Sequence, residues 1–293
     1  MDRVGFSLAP TRQLRRRKVV NLLVEAVMLV AALAAVAVLV LLVASVVSRG
    51  HGALTKDFFL KGPATGFFDT GGGIANSIVG TIVIVACATA FSLPLGILIA
   101  IYTHEFAPAG VRRFVSFALD LLNGMPSIVI GIFVYGLIVL AHGQSAVAGG
   151  VALAILMLPL VARATQEVLA LVPSSLREAS FALGVSRWRT VVGVILPLSL
   201  GGVLTGTTLA IARAAGETAP LLFTCALTTS QVSWDPREAL QSIPLTIFQD
   251  LENPDPALHE QAWAAALVLM AFVLAVSVLS KVALARSRRK LSR

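Results

Sequence analysis

Long apolar runs dominate the chain, and they are separated by short polar stretches. A bilayer core of ~30 Å needs roughly 20 mostly apolar residues per helix. Windows at 19–47, 74–102, 126–141, 147–162, 197–224 and 262–280 approach that length, five of them clear and one interrupted. The first is almost pure Val, Leu and Ala, with Glu25 near its start, where a carboxylate still reaches headgroups or water. The fourth continues as a more polar helix to Leu171. The pattern predicts an all-α integral membrane protein of about six transmembrane helices.

The polar stretches carry structure of their own. Segments 48–73, ending in Gly71-Gly72-Gly73, and 230–260, punctuated by Pro236, Pro244, Pro254 and Pro256, read as ordered outer loops or short helices. After the turn at 107–110, an amphipathic stretch with Arg112, Arg113 and Asp120 reads as a helix lying along the inner interface. Asn123 and Gly124, before Met125 and Pro126, mark a candidate helix break. In segment 163–197, Pro173-Ser174-Ser175 opens a helix with Ser as a cap candidate, and Glu178 falls in its first turn. Leu176, Ala179, Ala182 and Leu183 recur at helical spacing, and Gly184 closes the helix. A second short helix over 186–194, with Trp188 between Arg187 and Arg189, is expected to stop at Pro197. Together they predict a helix, turn, helix protrusion.

Composition agrees: 57% of the residues are hydrophobic and only 13% charged, against about a quarter charged in soluble domains. If six helices cross, 18 Lys and Arg fall on one side and four on the other, with Arg213 inside a helix. Because cytoplasmic flanks retain Lys and Arg, this places both termini in the cytoplasm. The expected organisation is a basic N-terminus at 1–18, a first transmembrane helix at 19–47 and an outer loop at 48–73. A helical core comes next at 74–280, with an inner loop at 173–197 and an outer loop at 230–260, then a basic tail at 281–293. The net charge of +8 is thereby explained by topology, and no nucleic acid partner is expected. The first apolar run, about 29 residues without a cleavage box, reads as a retained helix. Cys87 and Cys225 read as packing residues, and the four His lack metal-ligand spacing. No Gly-rich phosphate loop with its Lys is present, so energy for any transport must come from another subunit or an ion gradient.

The inner segment reads Glu178-Ala179-Ser180, two residues, Leu183-Gly184, nine residues, then Val194-Ile195-Leu196-Pro197. It resembles the EAA loop of ABC importer permeases, departing at Ser180, where the pattern has Ala, and at Val194, where it has Ile. The resemblance implies a MetI-like permease bundle whose loop inserts into a cytoplasmic ATPase. Glu178, Ala179, Ser180, Leu183, Gly184, Val194, Leu196 and Pro197 would form that coupling loop, with Arg187 and Arg189 adding charged contacts. The strings at 158–165, 126–129 with Gly131, and 213–220 are similar to the PstA family of phosphate importer permeases, and the related PstC family shares several of them. That similarity implies a multi-pass protein of a prokaryotic plasma or inner membrane. Its expected partners are a PstC-like second permease, a PstB-like ATPase dimer, a PstS-like phosphate-binding protein and membrane lipid. The chain itself would be no enzyme and hold no cofactor, ATP and Mg being bound by the ATPase.

Arg213 and Glu217 lie four residues apart in an apolar run, where each ionisable group costs roughly 2.5–3.5 kcal/mol on insertion scales. Two readings stand: a salt bridge holding the bundle, or an anion pathway in which the Arg213 fork meets phosphate oxygens and Glu217 orients it. Arg163, after Pro159, is either an inner-end anchor or a second pathway residue, and the PstA resemblance favours the pathway for both arginines. Gly201, Gly202, Gly206, Thr205, Thr207 and Thr208 read as packing residues for close helix approach. Rival functions are import of another oxyanion (sulfate, molybdate, tungstate), ion-driven secondary transport, and a purely regulatory membrane subunit.

Overall fold

The computed structural model describes residues 12–63, 72–226 and 232–291, and every regular element among them is helical. The chain divides into two units, the first holding the opening helix and the second beginning at Gly50. The opening helix α1 (Arg12–Gly50) is 39 residues long. Its Val and Leu side chains from Val19 to Leu42 are exposed all round, as contact with lipid requires.

The second unit starts with a 3₁₀ turn (His51–Ala53) and the short α2 (Lys56–Leu60), capped by the Thr55 hydroxyl accepting from the Phe58 N–H. Next comes α3 (Ala75–Ile101), which ends in a π-turn (Tyr102–Phe106). The amphipathic α4 (Ala109–Gly124) is next, then α5 (Ser127–Val134), prolonged by a π-turn (Tyr135–Val139) and α6 (Leu140–His142). Ser145 caps α7 (Ala146–Ala170), which leads to the hairpin of α8 (Ser174–Ala182) and α9 (Arg187–Thr190). A π-turn (Val191–Ile195), α10 (Leu196–Ala215), α11 (Ala219–Thr224), α12 (Ile243–Glu252) and α13 (Pro256–Leu291) complete it.

Among the described residues, five helical runs are long and apolar enough to cross a membrane: 16–53, 75–106, 146–170, 187–215 and 256–282. A sixth span results if α4 and the α5–α6 run count as one element, bent by 98° at its break. Proline disfavours the α conformation in the residue before it, so Pro126 ends α4 where Asn123 and Gly124 announced a break; Met125 is extended there.

The core is built around α3 and α7, the most extensively packed pair. Ile84 and Ala88 meet Leu153, Met157 and Val161, and Ala210 and Ala214 of α10 close the cluster. A second cluster near the hairpin joins Ala100 and Ile101 to Leu169, Val172, Val191 and Ile195. At the opposite end Phe58, Ile74, Ile243, Ala264 and Ala265 form a third. Small residues permit the closeness: a Cβ on Gly206 would lie 2.3 Å from the Ala164 Cβ, and one on Gly150 2.6 Å from that of Cys87. Cys225 is fully buried, its Sγ against Gly149. Both cysteines thus occupy packing positions.

Three local expectations are corrected. The fifth span does not begin after Pro197 and run to Thr224: it runs from Arg187 to Ala215 and breaks at 216–218 before α11. The second hairpin helix does not stop at Pro197 either, because the π-turn at Val191–Ile195 and the placement of Pro197 in the first turn of α10 absorb the missing N–H. Neither Ser174 nor Ser175 caps α8; Pro173 holds the N-cap position without a side-chain bond. The last helix is longer than its apolar window, extending through much of the expected tail to Leu291. Segment 48–73, expected as an outer loop, contains the 3₁₀ turn and α2, while 64–71 of it lie outside the described residues. In 230–260, residues 230–231 lie outside the described residues, and α12 folds onto α3 through the Thr81 hydroxyl, which accepts from the Ile243 N–H at 2.8 Å.

Candidate functional site

The hairpin forms because two short helices meet at Gly184, whose φ of +74° lies in the left-handed region that side chains with a Cβ rarely adopt. The Ser180 and Thr190 hydroxyls, 2.7 Å apart and buried, tie its two arms together. Outside, Leu176, Glu178, Ala179 and Phe181 are exposed, and Leu183 is 82% exposed. This bare apolar surface ringed by polar groups has the character of a docking ridge. Of the predicted loop residues, Glu178, Ala179, Leu183 and Gly184 are on it, whereas Ser180 faces inward. Val194, Leu196 and Pro197 lie in the helical run that leads into α10.

The second feature is the break after α10. Arg213 stands in the last turn of α10, where the helix dipole favours a cation. Gly216 and Glu217 close the end with N–H bonds to the Arg213 and Ala214 carbonyls. The Arg213 Nε lies 3.8 Å from Glu217 Oε1, an ion pair without a hydrogen bond. The Arg213 side chain is 57% exposed and that of Glu217 22%. Leu156, Met157 and Leu160, from the middle of α7, line the same recess. From Leu209 and Ala212 a cavity of about 580 Å³ leads toward the hairpin end between α7, α10 and α13, passing Thr205, Thr208, Ser277, Ser280, Glu167 and Lys281.

Arg163 lines a different cavity, of about 310 Å³, with Thr103, His104, Arg112, Ser116, Gln166 and Glu167. Its guanidinium donates to the Ser116 carbonyl at 2.8 Å, to Asp120 Oδ1 at 2.6 Å and to Gln166 Oε1 at 3.2 Å. These bonds clamp α4 to α7, as an anchor would. The structure therefore brings Arg213 and Glu217 together but not Arg163 with them. Among the described residues no group of three His, Cys, Asp or Glu is placed to hold a metal ion.

The model of the family described as "Binding-protein-dependent transport system inner membrane component" matches residues 92–291, a stretch that holds both the hairpin and the α10 break. The chain belongs to that family. Among curated relatives of this permease, the phosphate transport system permease protein PstA of Yersinia pestis is 42% identical over 223 residues, 74% of either chain. PstA 1 of Mycobacterium tuberculosis (strain CDC 1551 / Oshkosh) is 36% identical over 268 residues, 90% of this chain and 88% of its own. Two solved transporters share the permease fold at low identity. A bacterial alginate ABC transporter, in complex with an alginate-bound periplasmic protein, matches with TM-score 0.62 and 14% identity over 92% of this chain and 96% of its own. The inward-facing MetNI methionine ABC transporter gives TM-score 0.58 and 18% identity over 73% and 94%.

Sequence reasoning missed several residues of the permease. Glu105 and Arg177 form an ion pair of 2.8 Å beneath the hairpin, with side chains 6% and 17% exposed. Phe106 packs against Trp188 at 6.3 Å, and Arg187 stands 5.7 Å above the Phe106 ring. The one available signal was Glu105 itself, an acid at the end of a long apolar run, and it pointed to no partner.

Proposed function

We propose that this chain is one of two permease subunits of an ATP-driven importer for inorganic phosphate, forming half of the translocation pathway. The observation that carries this reading is Arg213: a guanidinium level with the middle of α7, more than half uncovered by its own chain, beside Glu217 at a break in the helix. A charge so placed cannot face lipid without a cost of several kcal/mol, so a protein partner and water must meet it. A second permease across that face would enclose an aqueous path, and the hydroxyl-lined cavity running from Leu209 toward the hairpin continues it. Guanidinium matches phosphate oxygens with a planar fork of donors, and the likeness to PstA proteins supports phosphate as the cargo.

In this reading the hairpin faces the cytoplasm with both termini, and a PstB-like ATPase dimer grips α8. A PstC-like permease completes the path and a PstS-like phosphate-binding protein delivers from outside. The chain is a transport subunit of the inner membrane, without catalysis or cofactor of its own; ATP and Mg belong to the ATPase. Reconstitution with those three partners tests it: ATP-dependent uptake of radiolabelled phosphate, not displaced by excess sulfate or molybdate, is expected. Uptake indifferent to phosphate overturns the reading.

A further inference from the structure

We propose that Arg177 and Glu105 are positioning residues that join the ATPase-gripped helix α8 rigidly to the ends of α3 and α7, so that movement of the hairpin reaches the transport path. The inference rests on the permease reading and names the joint inside it. One guanidinium joins three elements: α8, which carries it, the π-turn after α3 and the end of α7. From α8, Arg177 Nε and Nη2 donate to Glu105 Oε1 at 3.2 and 2.8 Å, Nη1 to the Val172 carbonyl at 2.7 Å, and Nη2 to the Leu169 carbonyl at 3.0 Å. Leu169 is in the last turn of α7 and Val172 lies two residues past its end, where carbonyls are not taken up by the regular helix ladder. Glu105 lies in the π-turn after α3, where His104 Nδ1 also approaches its Oε1 at 3.0 Å.

The same π-turn holds the other arm through Phe106, against Trp188 and under Arg187. It is tied onward: Gln166 of α7 donates to the Thr103 hydroxyl at 2.7 Å, and Arg112 of α4 to the Thr103 carbonyl at 2.9 Å. A load on the bare outer surface of α8 therefore passes through Arg177 into α3 and α7 together. The α7 helix carries Leu156 and Leu160 beside Arg213, so the joint and the path share one continuous helix. A hairpin held only by Pro173 and the chain's own continuity would swivel instead. A flat guanidinium with five donors can serve a carboxylate and two carbonyls at once, whereas an ammonium serves them poorly.

The test is the ratio of phosphate carried to ATP hydrolysed by the complete complex in liposomes. R177K keeps the charge facing Glu105 but loses the fork, and E105Q keeps the shape but loses the charge. Each variant is expected to assemble and to hydrolyse ATP near the unaltered rate while carrying roughly tenfold less phosphate per ATP, the scale of a typical coupling between sites. The double variant should do no worse than the poorer single one, because both act through one joint. An unchanged ratio in R177K and E105Q overturns the inference. So does a loss of transport and hydrolysis in parallel with the amount of assembled complex, which is what a merely structural pair would give. The unaltered complex tests the phosphate reading separately: if it carries another anion, the ratio is taken for that anion and the joint is judged on it.

Discussion

Ser180 on α8 and Thr190 on α9 share a hydrogen bond of 2.7 Å between their hydroxyls, across the turn made by Gly184. The two ends of this bond are not equivalent. Thr190 also donates to the Ser186 carbonyl, whereas Thr190 is the partner found for the Ser180 hydroxyl.

Replacing Ser180 with Ala should therefore be mild, since Thr190 keeps a partner. Thr190→Val strands a buried hydroxyl and should cost about 1–3 kcal/mol locally. Hydrogen exchange across residues 174–190 checks the order: faster exchange in S180A than in T190V would contradict it.

Gly184 tolerates a left-handed backbone that other residues resist by about 1–2 kcal/mol. Among the described residues nothing crowds its missing Cβ, so the effect of Gly184→Val should be conformational. The hairpin should open and copurification of the ATPase should fall, with Gly184→Asn intermediate. Equal ATPase recovery from all three proteins would show that the turn is not required.

Removing the Arg213 guanidinium should cut transport sharply and spare assembly. Its side chain is more than half exposed, and its ion pair with Glu217 is long, at 3.8 Å. Arg213→Gln is expected to lower initial phosphate uptake by roughly 10- to 100-fold, the worth of one hydrogen bond to a charged group. Complex yield on a sizing column should be unchanged. Uptake within twofold of the unaltered protein would assign Arg213 to packing instead.

Gly206 and Ala164 are so close that a Cβ at 206 would sit 2.3 Å from the Ala164 Cβ. Gly206→Val should push α10 from α7 and cost about 1–3 kcal/mol. A lowered Tm of the detergent-solubilised protein would register it.

Asp250, on α12 outside the spanning helices, is pushed up to about 7 by burial, and its Oδ2 has no hydrogen-bond partner among the described residues. The folded chain thus holds a proton that the unfolded chain releases near pH 4. Bound protons are then more numerous in the folded state between about pH 4 and 7, so stability falls as pH rises through that window. Asp250→Asn should flatten this slope and raise Tm at pH 8 relative to the unaltered protein, with little difference at pH 5. Parallel Tm curves for the two proteins from pH 5 to 8 would remove Asp250 as the cause.

The sequence by itself determined the helical membrane architecture, because some 20 consecutive apolar residues leave a helix in lipid as the stable choice. It determined the hairpin too: Gly184 and the spacing of Glu178, Ala179 and Leu183 are local signals, readable without knowing what they touch. Tertiary structure alone decided the rest. Pro197 reads as a stop, yet a π-turn carries the helix past it; Arg213 and Glu217 read as one helix face, yet the helix ends between them. Ser180 reads as a small change at an interface and is instead an internal tie. Arg163 meets Asp120 across 43 residues of sequence, and Arg177 meets Glu105 across 72. Pairs so far apart leave no periodic trace, since the spacing that signals a helix reports neighbours three or four residues away and says nothing of which helices pack together.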